Sequence, residues 1–221
     1  MIHRSVGTCT AVAVALLAAA ISMQGRSQVL RPTAPSPARF TAEQVRADFA
    51  DLYAGLKEAQ YDLYAHASRA ELDAAFRAEL AKLDRPLSPL EVRTRLQRFV
   101  ARVKVAHARI PFPAEEYDGY LEGGGLIFPL DVRIDDGRVF VVANNSGKSE
   151  PAPGDEILGL DGAAISAWLS RLAAHVSADT PRLAYSMVEY RLPGYLWVEQ
   201  GRREAFDVTV RTPGGAVKRL R

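Results

Sequence analysis

Apolar residues recur along the chain with two different periods. Between positions 45 and 103 they return every three or four residues: Val45, Phe49, Leu52, Tyr53 and Leu56, then Leu72, Phe76, Leu80 and Leu83, then Leu96, Phe99, Val100 and Val103. That spacing lays each set along one face of a helix. Each set follows a hydroxyl residue with Glu or Gln three positions on: Thr41 with Gln44, Ser68 with Glu71, and Ser88 with Glu91. In this arrangement the two side chains cap each other's backbone amides at a helix start. Pro89 adds a fixed φ at the first helical position of the third set. The pattern predicts about three amphipathic helices over residues 41–110. Their aromatic stripe (Phe49, Tyr53, Phe76) reads as core packing. Beyond position 105, Pro111 and Pro113 take the chain into an extended exit.

From position 130 the period changes to two. Leu130, Val132 and Ile134 alternate with Asp131, Arg133 and Asp135, as in a half-buried strand. Asp136-Gly137 supplies a tight turn, and residues 139–142 form the apolar, β-branched return strand. A polar loop over 144–150 leads to the Pro153-Gly154 turn, then to Ile157, Leu158 and Leu160 in a strand that closes on Asp161-Gly162. Helical spacing returns over 164–174, with Ile165, Trp168, Leu169 and Leu172 on one face, and a further helix is expected over 180–188. Residues 205–211 alternate strictly, Pro213-Gly214-Gly215 turns, and 216–220 return. The fold class is therefore α+β: a helical segment over 41–110, a small β-rich module over 120–200, and a C-terminal hairpin over 201–221.

Composition narrows the function classes. The 221 residues are 48% hydrophobic, enough for a substantial core, and the formal net charge of +2 is spread without a basic block. No nucleic-acid footprint is present. Residues 1–27 combine a basic start (His3, Arg4) with an apolar run and small residues such as Ala20-Ile21-Ser22, the form of a secretory signal. An uncleaved anchor is the competing reading, although the run is short against the roughly 20 residues a span needs. Export places the chain in a secreted or periplasmic setting, with no stable membrane span after processing. The proline-rich run at 31–37 makes 28–40 an extended linker. Cys9, the single cysteine, lies inside the signal, so the processed chain has neither disulfides nor a thiol nucleophile.

The chemistry-bearing residues are sparse. His66, His107 and His175 lie far apart, with no HExxH, no glycine-rich phosphate loop ending in lysine and no G-x-S-x-G elbow, so nothing in the pattern calls for a metal or other cofactor. Ser146-Gly147-Lys148 is the nearest approach to a serine–lysine pair, and it reads as a solvated loop.

The run Pro153-Gly154-Asp155-Glu156-Ile157-Leu158-Gly159-Leu160-Asp161-Gly162 resembles the P-G-D-x-I-L-x-[IL]-[DN]-G signature of PDZ domains in bacterial periplasmic proteases; an ordinary strand between two glycine turns is the alternative. With the helices before it, residues 42–215 look like the front part of a tail-specific, or carboxyl-terminal processing, serine peptidase. The resemblance implies a PDZ-like module that captures polypeptide C-termini or unfolded protein by strand addition, with the carboxylate held by backbone amides. Gly124, Gly125, Leu126, Ile127 and Phe128 occupy the place of that loop and strand, though three consecutive glycines from Gly123 also suit a linker. In this family the helical segment ends in a D-x-H-[TS] motif. Here Val105-Ala106-His107-Ala108 keeps the histidine and lacks the aspartate and the hydroxyl residue. By resemblance His107 is a general base in the tricorn-like branch; by its position it could instead close a helix through a hydrogen bond. The family's serine nucleophile and lysine match nothing here and are expected in a separate or missing protease domain. Two functions follow as expectations: the substrate-recognition half of a serine-type endopeptidase, inactive alone, or a non-enzymatic module that binds peptide tails.

Overall fold

Three reciprocal caps open the helical part. In the computed structural model, which describes residues 39–221, Thr41, Ser68 and Ser88 each accept from the backbone three residues on, and Gln44, Glu71 and Glu91 return the bond to the cap residue's amide. They start α1 (Ala42–Ala59), α2 (Arg69–Leu80) and α3 (Pro89–Ala101). The signal expected over 1–27 and most of the linker expected over 28–40 lie outside the described residues. Val45, Phe49, Leu72, Leu87, Phe99 and Val103 are buried together where the three helices meet. Phe49 packs edge-on to Phe99, with ring centroids 4.8 Å apart.

The chain leaves α3 without helix over 108–113, and then adds a helix that the pattern does not predict. Pro113 stands at the start of a further helix, α4 (Ala114–Glu122), because a proline in the first turn removes only an amide that has no helical partner. The same holds later: α5 (Ile165–Ala173) and α6 (Pro181–Tyr190) are followed by α7 (Leu192–Gln200), whose Pro193 lies in its first turn.

The remaining elements are β1 (Leu130–Asp135), β2 (Arg138–Asn144), β3 (Glu156–Leu160), the short β4 (Ala163–Ala164), β5 (Val208–Arg211) and β6 (Val217–Leu220). They form one antiparallel sheet in the order β1-β2-β3-β5-β6, with β4 on β3. Asp136 and Gly137 have φ of 46° and 76°, and Asp161 and Gly162 have 49° and 78°. Both central residues of each turn are thus left-handed, as two-residue hairpins require. β1 buries alternate residues throughout. The C-terminal hairpin does not stand apart: β5 pairs with β3, so it completes the sheet.

Helices α5, α6 and α7 cover one face of this sheet, where Val139, Ile157, Leu172, Val188, Leu196 and Val210 form the second core. Trp168 is buried there and donates its indole N–H to the Leu160 carbonyl at 2.8 Å. Asp155 is buried and accepts from the Ala152 amide at 2.9 Å, holding the turn before β3. Glu156 lies between Arg138 (2.8 Å) and Arg211 (3.2 Å) across β2, β3 and β5, and Arg138 above all holds its carboxyl below the usual range. No helix among the described residues is long and apolar enough to cross a membrane.

Candidate functional site

The glycine segment forms the end of a helix. Gly123, Gly124 and Gly125 donate their amides to the carbonyls of Gly119 (3.1 Å), Leu121 (2.9 Å) and Tyr120 (2.9 Å), which the last turn of α4 leaves without helical partners. These amides are therefore not open to an incoming carboxylate, contrary to the expectation for this loop. A Cβ at Gly125 would lie 2.3 Å from the Tyr120 ring, so a close aromatic approach demands the glycine. Leu126 and Ile127 are exposed, while Phe128 is buried and meets Phe206 edge-on at 5.3 Å. β1, the strand that follows, is an edge of the sheet. Its Ile134 amide donates to the Glu189 carboxylate of α6, so a helix side chain takes the place of a neighbouring strand there.

His107 lies on an exposed turn between α3 and α4, and its ring makes no hydrogen bond among the described residues. It does not cap α3, whose C-cap is Arg102, and no serine is hydrogen-bonded to it among the described residues. Ser146 donates its hydroxyl to Asn144 at 2.6 Å, and the Lys148 ammonium goes instead to the Arg221 carbonyl. No serine–lysine dyad is assembled in that loop.

The structure assembles a different cluster around His175. The turn after α5 buries this imidazole, with 4% of the residue exposed, and its Nε2 meets a Glu199 carboxylate oxygen from α7. The Arg98 guanidinium of α3 reaches the same oxygen. Burial pushes the Glu199 carboxyl up, but the His175 hydrogen bond and the Arg98 charge outweigh it, so its pKa is lowered. Tyr195 stacks on the imidazole at 6.0 Å. Gln97 donates to the His175 carbonyl at 2.8 Å and accepts from the Ile110 amide at 2.7 Å. Ser177 donates to the Val105 carbonyl at 2.7 Å. These bonds pin α3, the 105–110 segment, the exit of α5 and α7 to one another.

Above the pinned groups lies a cleft of about 500 Å³, lined by α3, residues 106–113, residues 175–177, α6 and α7. That volume suits a small organic ligand. The sequence does not reveal it, because Gln97 meets the His175 carbonyl across a gap of 78 residues and no local motif links them. The apolar run around His175 was the one available signal, since a histidine there is buried and needs a partner.

Helices followed by an antiparallel sheet with helices across one face also occur together in a solved structure. A comparison with solved structures finds them in the chlamydial serine protease CPAF. The mature form matches at 19% identity with a TM-score of 0.55, over 81% of this chain and 34% of CPAF. Its complex with lactacystin matches at 18% with a TM-score of 0.55, and the S499A mutant at 19% with 0.52. The chain thus spans about a third of the protein it matches, and at this identity the likeness is one of fold. No family model and no curated protein matches the chain.

Proposed function

We propose that this chain is the substrate-recognition part of a secreted or periplasmic serine-type endopeptidase, with the nucleophile supplied by a protease domain outside these residues. The observation that carries this reading is the fold shared with a serine protease over 81% of the chain. Two features support the division of labour. Among the described residues no serine is hydrogen-bonded to a histidine or lysine side chain, and the one buried imidazole is committed to Glu199. The polypeptide that is recognised is an unfolded chain or a C-terminal tail. The test is one tube in which fluorescent unfolded casein is titrated with the purified chain, read by anisotropy and then by gel. Saturable binding with intact casein is expected; no saturation, or fragments that accumulate with time, would overturn the proposal.

A second reading, a non-enzymatic PDZ-like module for peptide C-termini, draws on the edge position of β1 and the exposed Leu126 and Ile127 leading into it. With the glycine amides occupied, strand addition would have to displace Glu189 from Ile134. Calorimetry with an apolar C-terminal peptide and its C-terminal amide separates the readings: carboxylate capture requires the acid to bind more tightly.

A further inference from the structure

The cleft beside His175 has a charge pattern that the helix packing does not use. Arg93, Arg109 and Arg191 all line it, and none of the three has an acidic partner among the described residues. Arg93 donates to the Pro111 carbonyl at 3.0 Å, and Arg191 lies over the Phe112 ring at 4.5 Å, so both are held at the rim in fixed orientations. The walls between them are apolar or aromatic: Ile110, Phe112, Val176, Met187 and Tyr195. Thr94 and Tyr195 also line the cleft, and their hydroxyls make no hydrogen bond among the described residues. Burial pushes the Tyr195 phenol up in pKa, while the charges of Arg191 and Arg109 act against that rise.

We infer that this cleft is a binding site for a small organic acid, a single carboxylate carried on an aromatic body, with Arg109 and Arg191 meeting the carboxylate and Phe112 and Tyr195 flanking the ring. Arginine matches a carboxylate with two parallel N–H donors, and an aromatic wall accepts a flat ring without unpaired polar atoms. Arg109 and Arg191 are exposed, so a ligand without a carboxylate would forgo its charged pairing with them, and one without an apolar body would leave the walls wet. A free phosphate meets the first condition and fails the second. The carboxylate can belong to a free acid or to the last residue of a chain, and the two sources share the same chemistry. The site stands apart from the peptidase reading, since its probe contains no peptide bond and can bind whether or not casein does.

The test is an NMR titration of the full purified chain with 3-phenylpropanoate and, in parallel, 3-phenylpropanamide. Saturation at millimolar concentration is expected for the acid, the usual strength for a ligand of this size, with the amide weaker by about tenfold or more. The combined variant Arg109→Gln, Arg191→Gln should lose the preference for the acid while keeping its melting temperature. Should that variant fail to fold, the acid and amide arms on the unaltered protein decide the matter alone. N-acetylphenylalanine and Gly-Gly-Phe form the third arm: tighter binding of the tripeptide assigns a chain terminus as the source, and equal or weaker binding assigns a free acid. Equal binding of acid and amide, displacement of the acid by equimolar inorganic phosphate, or an unchanged preference in the double arginine variant would each overturn the inference.

Discussion

Replacing Glu199 by glutamine keeps the side chain's shape and removes the charge that His175 and Arg98 share. The His175 side chain is 3% exposed and Glu199 9%, so the imidazole cannot turn to water for its lost partner. Breaking a buried ionic contact costs about 3–5 kcal/mol when the remaining charge is stranded. Here Arg98 is 42% exposed and can rehydrate, and the glutamine oxygen still accepts one hydrogen bond, so the expected loss is about 2 kcal/mol. In a unit of this size that corresponds to a melting temperature lower by roughly 4–8 °C. The pH dependence has a definite sign. The folded carboxyl of Glu199 has a lowered pKa, so its contribution is fully present above the unfolded value of about 4.5 and is lost as pH falls through the lower folded value. Urea unfolding followed by circular dichroism at pH 7 and at steps below pH 4.5 measures both effects. The difference between the native chain and Glu199→Gln should be full at pH 7 and shrink on acidification. A difference below about 0.5 kcal/mol at pH 7, the usual scatter of surface substitutions, would refute the pinning role. So would a gap that widens as the pH falls.

Other substitutions test separate parts of the structure. Phe49→Ala removes a fully buried ring from the helical core and should cost about 3–5 kcal/mol in the same unfolding assay. Gly125→Ala places a methyl group against the Tyr120 ring and should cost about 1 kcal/mol; in a double-mutant cycle with Tyr120→Ala that cost should largely vanish. His107→Gln, whose ring makes no hydrogen bond on its exposed turn among the described residues, should leave stability within about 0.5 kcal/mol, and a larger loss would contradict that placement.

The parts of the fold legible in the sequence are those fixed by neighbours in the chain. The three caps at Thr41, Ser68 and Ser88, the alternation of β1 and the Asp136-Gly137 and Asp161-Gly162 turns each lie within a few residues and read directly. Helices α4 and α7 were hidden by their prolines, which punctuate a sequence yet sit comfortably in a first helical turn. α7 also carries Gly194, whose missing side chain admits the Phe112 ring; a Cβ there would lie 2.8 Å from it, a requirement visible only once the two segments meet. The glycines at 123–125 looked like an open loop because the helix they terminate was not anticipated. The cleft was illegible for a different reason: Arg93, Arg109 and Arg191 come from three separate elements, and only tertiary packing makes them neighbours.

The proposed role of this chain is to recognise a polypeptide, with the cutting left to a nucleophile outside the described residues. The most direct test is the intact mass of the purified chain after treatment with a serine-directed fluorophosphonate. An unmodified mass is expected, because none of the described serines is hydrogen-bonded to a histidine or lysine side chain. A single stoichiometric adduct on one serine, formed only by the folded chain and accompanied by loss of peptide turnover, would contradict it.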